Sequence, residues 1–270
     1  MNNRTIRILV AVISIPVLLG LSYLGGLPFL LFVLAISIVS FVEFAEMANS
    51  KEASVNKIIG IITVIFLIVN SFNNFIDLQL LLLSSTLLLL LIELFRKKGS
   101  AILNIGSTLL GILYIGLFSS SIVGIRELYA NSLHYSNGGL IIISIFITLW
   151  LTDSAAYFLG TAFGKHKLFP RVSPNKSWEG AIFGFIFAII SMVVLKSILL
   201  TFISWTDSIV IGLIIGLFGQ MGDLVESLFK RDAGVKDSSN VIPGHGGILD
   251  RFDSLIFSSP FIFIYFTYII

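Results

Sequence analysis

Nine predominantly apolar runs divide the chain, and most of them reach the length that a helix needs to cross a bilayer, roughly 17–25 residues. They are residues 8–24, 28–47, 58–73, 75–95, 102–125, 139–163, 180–203, 208–228 and 255–270. Charged residues make up only 12% of the chain, against about 25% in soluble domains, so the chain cannot cover a surface that faces water. We therefore predict an all-α, polytopic membrane protein with about nine transmembrane helices.

The lysines and arginines predict the orientation of these helices, because cytoplasmic loops of membrane proteins are enriched in both residues. With the N-terminus in the cytoplasm, only Arg126 and Lys196 of the 17 basic residues fall toward the outside. The simple loops fit a multi-pass protein of the cell inner (plasma) membrane, and a eukaryotic internal membrane stays open.

Two features of the composition exclude whole classes of function. The net charge of only +2 gives no electrostatic support for a nucleic-acid partner. The absence of cysteine excludes disulfides, thiolate metal sites and cysteine nucleophiles.

The longer polar loops suggest how function is divided along the chain. We expect residues 1–130 to form a scaffold of lipid-facing transmembrane helices. Residues 131–270 carry the remaining helices and two chemically rich cytoplasmic loops, 164–179 and 229–254.

Acidic residues inside and beside the apolar runs predict a cation site. Asp153 lies about 15 Å from the cytoplasmic end of its run, where a carboxylate is costly unless it faces a polar cavity or a cation. Asp223 and Glu226 are three residues apart and share a helix face, and Asp250 and Asp253 have the same spacing. We predict that Asp223 and Asp250 bind a hard cation such as Mg²⁺. Glu226, Asp253 and Asp153 are further candidate ligands, with room for a second cation.

Not every carboxylate near a helix end indicates a site. Glu43, Glu46, Glu93 and Asp253 fit equally well as charges at helix ends that reach for water.

The loop 229–254 combines the residue types that bind phosphate. Glycines let backbone N–H groups approach an anion, and lysine and arginine neutralise it. The basic residues are Lys230, Arg231, Lys236 and Arg251, and the glycine-rich run is Pro243-Gly244-His245-Gly246-Gly247. A solvated basic loop would explain the lysines and arginines but not the interleaved aspartates.

The loop 164–179 offers a second anion site. Ser173 or Ser177 is placed to cap the following helix, and Lys176 lies beside the same helix N-terminus.

The segment from Ser227 to Asp253 resembles the signature of the phosphatidate cytidylyltransferase (CDP-diglyceride synthetase) family. The matching residues are Ser227, Lys230, Arg231, Lys236, Asp237, His245, Gly246, Gly247, Asp250, Arg251 and Asp253. The Asp153-Ser154-Ala155-Ala156-Tyr157 stretch and the Ser-Pro-x-Lys-Ser-x-Glu-Gly loop are also similar, so the resemblance covers residues 150–254.

The resemblance implies that CMP passes from CTP to phosphatidate, a membrane lipid, giving CDP-diacylglycerol and pyrophosphate with Mg²⁺. It implies an active site on the cytoplasmic side. The expected catalytic residues are Asp223, Lys230, Arg231, Asp250 and Arg251. The expected phosphate-binding residues are Lys176, Ser173, Lys236, His245, Gly246 and Gly247.

Two other functions stay open at this point. A CTP-dependent transferase acting on another lipid phosphate would share the headgroup chemistry. An ion-coupled transporter would also place an aspartate in mid-membrane, although no inverted repeat is apparent. The sequence also leaves a homodimer open.

Overall fold

The computed structural model describes residues 3–97, 99–241 and 246–269, and these residues form an almost entirely helical chain. The helices are α1 (Asn3–Leu24), α2 (Gly26–Asn49), α3 (Lys57–Asn73), α4 (Leu78–Phe95), α5 (Ala101–Gly111), α6 (Phe118–Arg126), α7 (Ser136–Phe163), α8 (Trp178–Ile198), α9 (Trp205–Ile214), α10 (Gln220–Ala233) and α11 (Leu249–Tyr268). The predicted all-α membrane fold is thereby confirmed.

Each of the nine predicted apolar runs coincides with one helix or with two joined helices. Within the described part of the chain, six helices are long and apolar enough to cross a membrane. Two shorter apolar helices span Val10–Leu24 and Lys57–Asn73. The count of nine crossings and the cytoplasmic N-terminus stay predictions.

Two helical junctions contain π-helical turns that the periodicity of the sequence does not indicate. Ile112–Leu117 joins α5 to α6, and Ile215–Gly219 joins α9 to α10. Short π-helical turns inside α-helices are frequently found at functional sites.

The chain divides into two compact units. The first comprises Met1–Leu21, Gly26–Gly124 and Phe229–Phe252, and the second comprises Ser22–Gly25, Ile125–Leu228 and Asp253–Ile270. The predicted boundary near residue 130 therefore lies close to a junction between units, but most of the loop 229–254 belongs to the first unit. The functional roles predicted for the two halves stay predictions.

Close helix packing in the first unit depends on small residues opposite large ones. The Phe41 ring is fully buried, and a Cβ added at Gly111 would lie 2.8 Å from it. The second unit packs α7 against α8 through small residues on both helices, since a Cβ at Gly180 would lie 2.7 Å from the carbonyl oxygen of Ala156. Small residues let helix backbones approach closely where lipid supplies no hydrophobic driving force between helices.

A buried arginine joins separate parts of the second unit. The Arg126 guanidinium is fully buried and donates to the carbonyl oxygens of Ser22 at 2.7 Å, Tyr23 at 2.9 Å and Tyr135 at 3.2 Å. It also lies 4.2 Å from the centre of the Tyr135 ring. Hydrogen bonds and the cation–π contact compensate the cost of burying this charge.

Part of the loop 164–179 forms a β-hairpin, which the sequence analysis did not predict. Its strands β1 (Lys167–Phe169) and β2 (Ser173–Ser177) are antiparallel and are the only strands among the described residues. Ser177 caps α8 by accepting a hydrogen bond from Gly180 N, as predicted for one of the two serines, whereas Ser173 begins β2.

Candidate active site

Three carboxylates gather in the second unit. Asp223 and Glu226 lie on α10 and Asp253 lies on α11, and one oxygen from each falls within 4.8 Å of the others. Glu226 is fully buried and Asp253 is 7% exposed. Three carboxylate oxygens at this separation form a ligand set suited to a hard divalent cation.

A glycine permits the two helices that carry this cluster to meet. A Cβ added at Gly222 would lie 2.8 Å from the carbonyl oxygen of Asp253 and 2.7 Å from Cβ of Phe257. Only a residue without a side chain therefore allows α10 to approach α11 at this level. This glycine precedes Asp223 directly, and the sequence pattern gave no indication of its role.

The β-hairpin brings a cation to the carboxylate cluster. Lys176, on β2, donates to Oδ2 of Asp223 at 2.5 Å, while the Ser227 hydroxyl donates to Oδ1 at 3.2 Å. Both ion-paired side chains are about one-third exposed, so solvent reaches this edge of the cluster. Lys176 thus lies where the sequence predicted an anion site, but its partner in the structure is a carboxylate.

A second ion pair lies in the first unit and is much more buried. Lys230 donates to Oδ1 of Asp250 at 2.5 Å, and the two side chains are 11% and 5% exposed. Oδ2 of Asp250 accepts from Ser238 N at 2.9 Å, Gly247 N at 2.8 Å and the Ser238 hydroxyl at 3.0 Å. Asp250 therefore organises the loop that carries the signature as well as holding Lys230.

Glu43 is also part of this loop structure, and its prediction as a charge reaching for water is wrong. Its side chain is buried on α2 and accepts hydrogen bonds from the segment that precedes α11. Sequence reasoning missed it because the partners lie about two hundred residues further along the chain. The one available signal was a carboxylate flanked by apolar residues in a long apolar helix.

The other predicted site residues lie on or near these elements. Arg231 is exposed and donates to the carbonyl oxygen of Val235 at 3.1 Å, and Lys236 and Arg251 are exposed. Asp153 lies on an exposed face of α7. Gly246 has a φ of +82°, which an L side chain rarely adopts. His245 lies outside the described residues.

The predicted ligands are thus divided between two groups. Asp223, Glu226 and Asp253 form one cluster with Lys176, whereas Asp250 pairs with Lys230 in the other unit. Coordination of one cation by Asp223 together with Asp250 stays a prediction. So do the catalytic and phosphate-binding roles.

Comparison with known proteins now identifies the class to which this fold and these polar groups belong. The model of the cytidylyltransferase family matches residues 5–269, and the chain belongs to that family.

Among curated proteins, the chain is 40% identical to the phosphatidate cytidylyltransferase of Staphylococcus saprophyticus over 185 residues, which cover 68% of each chain. It is 40% identical to the phosphatidate cytidylyltransferase of Bacillus subtilis over 181 residues, 67% of this chain and 65% of the relative. The protein of the same name from Staphylococcus haemolyticus is 40% identical over 186 residues, 66% of this chain and 65% of the relative. The matched regions thus span about two thirds of these relatives.

Proposed function

We propose that this protein transfers CMP from CTP to phosphatidate, giving CDP-diacylglycerol and pyrophosphate for phospholipid biosynthesis. The observation that carries the proposal is the 40% identity to relatives named phosphatidate cytidylyltransferase. The match of the cytidylyltransferase family to nearly the whole chain supports it.

The substrates need little acid–base chemistry but much positive charge. The second pKa of a phosphomonoester is near 6, so phosphatidate is largely a dianion at neutral pH. One of its oxygens attacks the α-phosphorus of CTP and forms a new P–O bond. The bond between the α-phosphorus and the oxygen that bridges the α- and β-phosphates breaks, and pyrophosphate leaves. Because two polyanions must meet, positioning and charge compensation by the protein dominate the catalysis.

The carboxylate cluster fits Mg²⁺ as the cofactor. Asp223, Glu226 and Asp253 present three carboxylate oxygens within 4.8 Å of one another, and oxygen ligands of this kind are the ones that Mg²⁺ prefers. These three residues would hold Mg²⁺, with Asp250 and Asp153 as the remaining candidates from the sequence. When bound, Mg²⁺ would offset charge on the phosphates and on the departing pyrophosphate.

Protein cations supply the remaining charge in this proposal. Lys176 lies beside Asp223 at a solvent-accessible edge, where its ammonium is placed to bind a substrate phosphate. Lys230 is held by Asp250, so its ammonium is fixed in position before substrate arrives. The exposed cations Arg231, Lys236 and Arg251 would bind further phosphate oxygens.

We also propose that the protein is a multi-pass protein of the inner (plasma) membrane with its active site facing the cytoplasm. The six long apolar helices among the described residues support the membrane location. The predicted excess of lysine and arginine on the cytoplasmic side supports the orientation.

Transfer of labelled nucleotide tests the proposal. Purified protein in detergent is given CTP labelled at the α-phosphate, phosphatidate and Mg²⁺, and label is followed into the lipid phase. We expect lipid-borne label that requires both phosphatidate and Mg²⁺ and disappears with EDTA. The Asp223→Asn variant is expected to lose about 100-fold or more in rate.

The matched control is Asp232→Asn, an aspartate on the same helix whose side chain is 71% exposed and which should leave transfer unchanged. Parallel reactions offer a polyprenyl phosphate and an ether-linked phosphatidate as acceptors. Label in one of these lipids but not in phosphatidate would reassign the acceptor. If folded protein labels no lipid at all, the transferase proposal is refuted and an ion-coupled transporter becomes the better hypothesis.

A further inference from the structure

Glu43 is a buried carboxylate in an apolar helix. It is 2% exposed and lies on α2 close to Phe41 and Phe44, which are also buried. A carboxylate removed from water is costly unless hydrogen bonds or a cation compensate it. What compensates Glu43 therefore indicates what the residue does.

Four donors from one distant segment surround this carboxylate. Oε1 accepts from the Ser239 hydroxyl at 2.5 Å and from Ile248 N at 2.9 Å. Oε2 accepts from the Ser238 hydroxyl at 2.8 Å and from Leu249 N at 2.8 Å. Glu43 thus ties together two stretches of the signature loop, a name used here for residues 236–241 and 246–250.

The position of Leu249 adds an electrostatic contribution. Leu249 is the first residue of α11, so its N–H group is one of those that the helix itself leaves unpaired. A carboxylate at this end of a helix also interacts favourably with the helix dipole. Glu43 therefore acts as an N-terminal cap that is contributed by a different helix.

Gly247 gives independent evidence that the loop is shaped around Glu43. A Cβ added at Gly247 would lie 2.6 and 2.7 Å from the two carboxylate oxygens of Glu43, and still closer to the Ser238 hydroxyl. The glycine at this position of the signature is thus required by contact with Glu43, whatever its role toward phosphate.

The hydrogen bonds continue from Glu43 to the buried ion pair. The Ser238 hydroxyl lies between Glu43 at 2.8 Å and Asp250 at 3.0 Å. Asp250 in turn holds Lys230. A change at Glu43 can therefore reach a predicted catalytic lysine through only two intervening side chains.

We propose that Glu43 is a positioning residue for nucleotide transfer: it folds the signature loop into its working conformation without touching the substrate. The effect on transfer rests on the proposed function, whereas the effect on the loop does not. A carboxylate is required because both of its oxygens must accept. In Glu43→Gln one oxygen becomes an NH₂ group, which faces two donors and can accept from neither.

Two measurements on the full chain in detergent test the proposal. The first is the rate of trypsin cleavage after Lys236, an exposed residue of the signature loop, followed by mass spectrometry. Cleavage after Lys167, exposed on the β-hairpin, reports on the second unit as an internal reference. The second measurement is kcat and KM for CTP. The matched control is Glu46→Gln, one turn further along α2, where the side chain is 60% exposed.

In Glu43→Gln we expect cleavage after Lys236 to accelerate about tenfold or more, with cleavage after Lys167 unchanged. We expect kcat/KM to fall by about tenfold or more, and Glu46→Gln to match the wild type in both assays. If Glu43→Gln does not fold, Ser239→Ala removes a single donor and should accelerate cleavage after Lys236 about threefold.

Three outcomes would overturn the proposal. Unchanged cleavage after Lys236 would show that Glu43 does not hold the loop. Faster cleavage with unchanged kcat and KM would show that the held conformation does not matter for transfer. Equal acceleration at Lys167 and Lys236 would indicate general destabilisation. If the wild type labels no lipid while the loop responds as expected, the transferase proposal fails and the part concerning the loop stands.

Discussion

The buried pair of Lys230 and Asp250 allows the sharpest prediction about stability. Replacing Lys230 with Met keeps most of the side-chain volume but removes the ammonium that pairs with the Asp250 carboxylate, which is 5% exposed. Breaking a buried pair from one side costs about 3–5 kcal/mol. Asp250 keeps other donors, among them Ser238 N and Gly247 N, so we expect the lower end, about 3 kcal/mol.

Thermal unfolding in detergent, followed by the helical circular dichroism signal, measures this loss. For a chain of this size about 3 kcal/mol corresponds to a fall in Tm of roughly 6–12 °C. Unfolding is the appropriate assay because Lys230 is also a predicted catalytic residue, so lost activity would not separate the two roles.

An exposed ion pair in the same unit supplies the control. Lys51 lies 3.9 Å from Asp232, and the side chains are 52% and 71% exposed. Lys51→Met should therefore change stability by less than about 1 kcal/mol. In the double variant Lys230→Met/Asp250→Asn, removal of the buried charge should recover about 1 kcal/mol or more. Equal Tm values for the two lysine variants, or strictly additive losses in the double variant, would refute the reasoning.

Two further predictions concern the second unit. Ser177→Ala removes the hydroxyl that caps α8 by accepting from Gly180 N, so it should lower the free energy of unfolding by about 1 kcal/mol. The control is Ser197→Ala, at an exposed position of the same helix, which should have almost no effect on thermal unfolding. Arg126→Met leaves three carbonyl oxygens without their charged donor and should lower the free energy of unfolding by about 3 kcal/mol. Arg126→Lys should recover only part of this loss, because one ammonium cannot replace the planar guanidinium. A Tm for Arg126→Met within about 1 °C of the wild type would contradict the assigned role.

The sequence predicted what depends on local spacing. Each apolar run became helix because its length and composition suffice for that. The pairing of Asp223 with Glu226 followed from helical periodicity and is found on α10. Neither inference requires knowledge of which helices pack together.

Features that depend on distant partners were beyond this reasoning. Glu43 reads locally as a charge near a helix end, and only the fold shows that its four donors come from residues 238–249. The β-hairpin was missed because its strands are short and its second strand, Ser173–Ser177, lacks the alternation of apolar residues that marks a strand. Both π-helical turns contain glycine, but so do several of the α-helices, so glycine did not distinguish these turns in the sequence.

The long separation between Glu43 and its partners has a consequence for biosynthesis. Leu249, the last of the four donors, is made 206 residues after Glu43. At about 5–20 residues per second, the ribosome needs roughly 10–40 s to add that length of chain. During this interval α2 carries a carboxylate whose permanent donors do not yet exist. The first unit therefore reaches its final structure only near the end of translation, and a nascent chain released before that point would expose an uncompensated acid on an apolar helix to the cell's quality-control proteases.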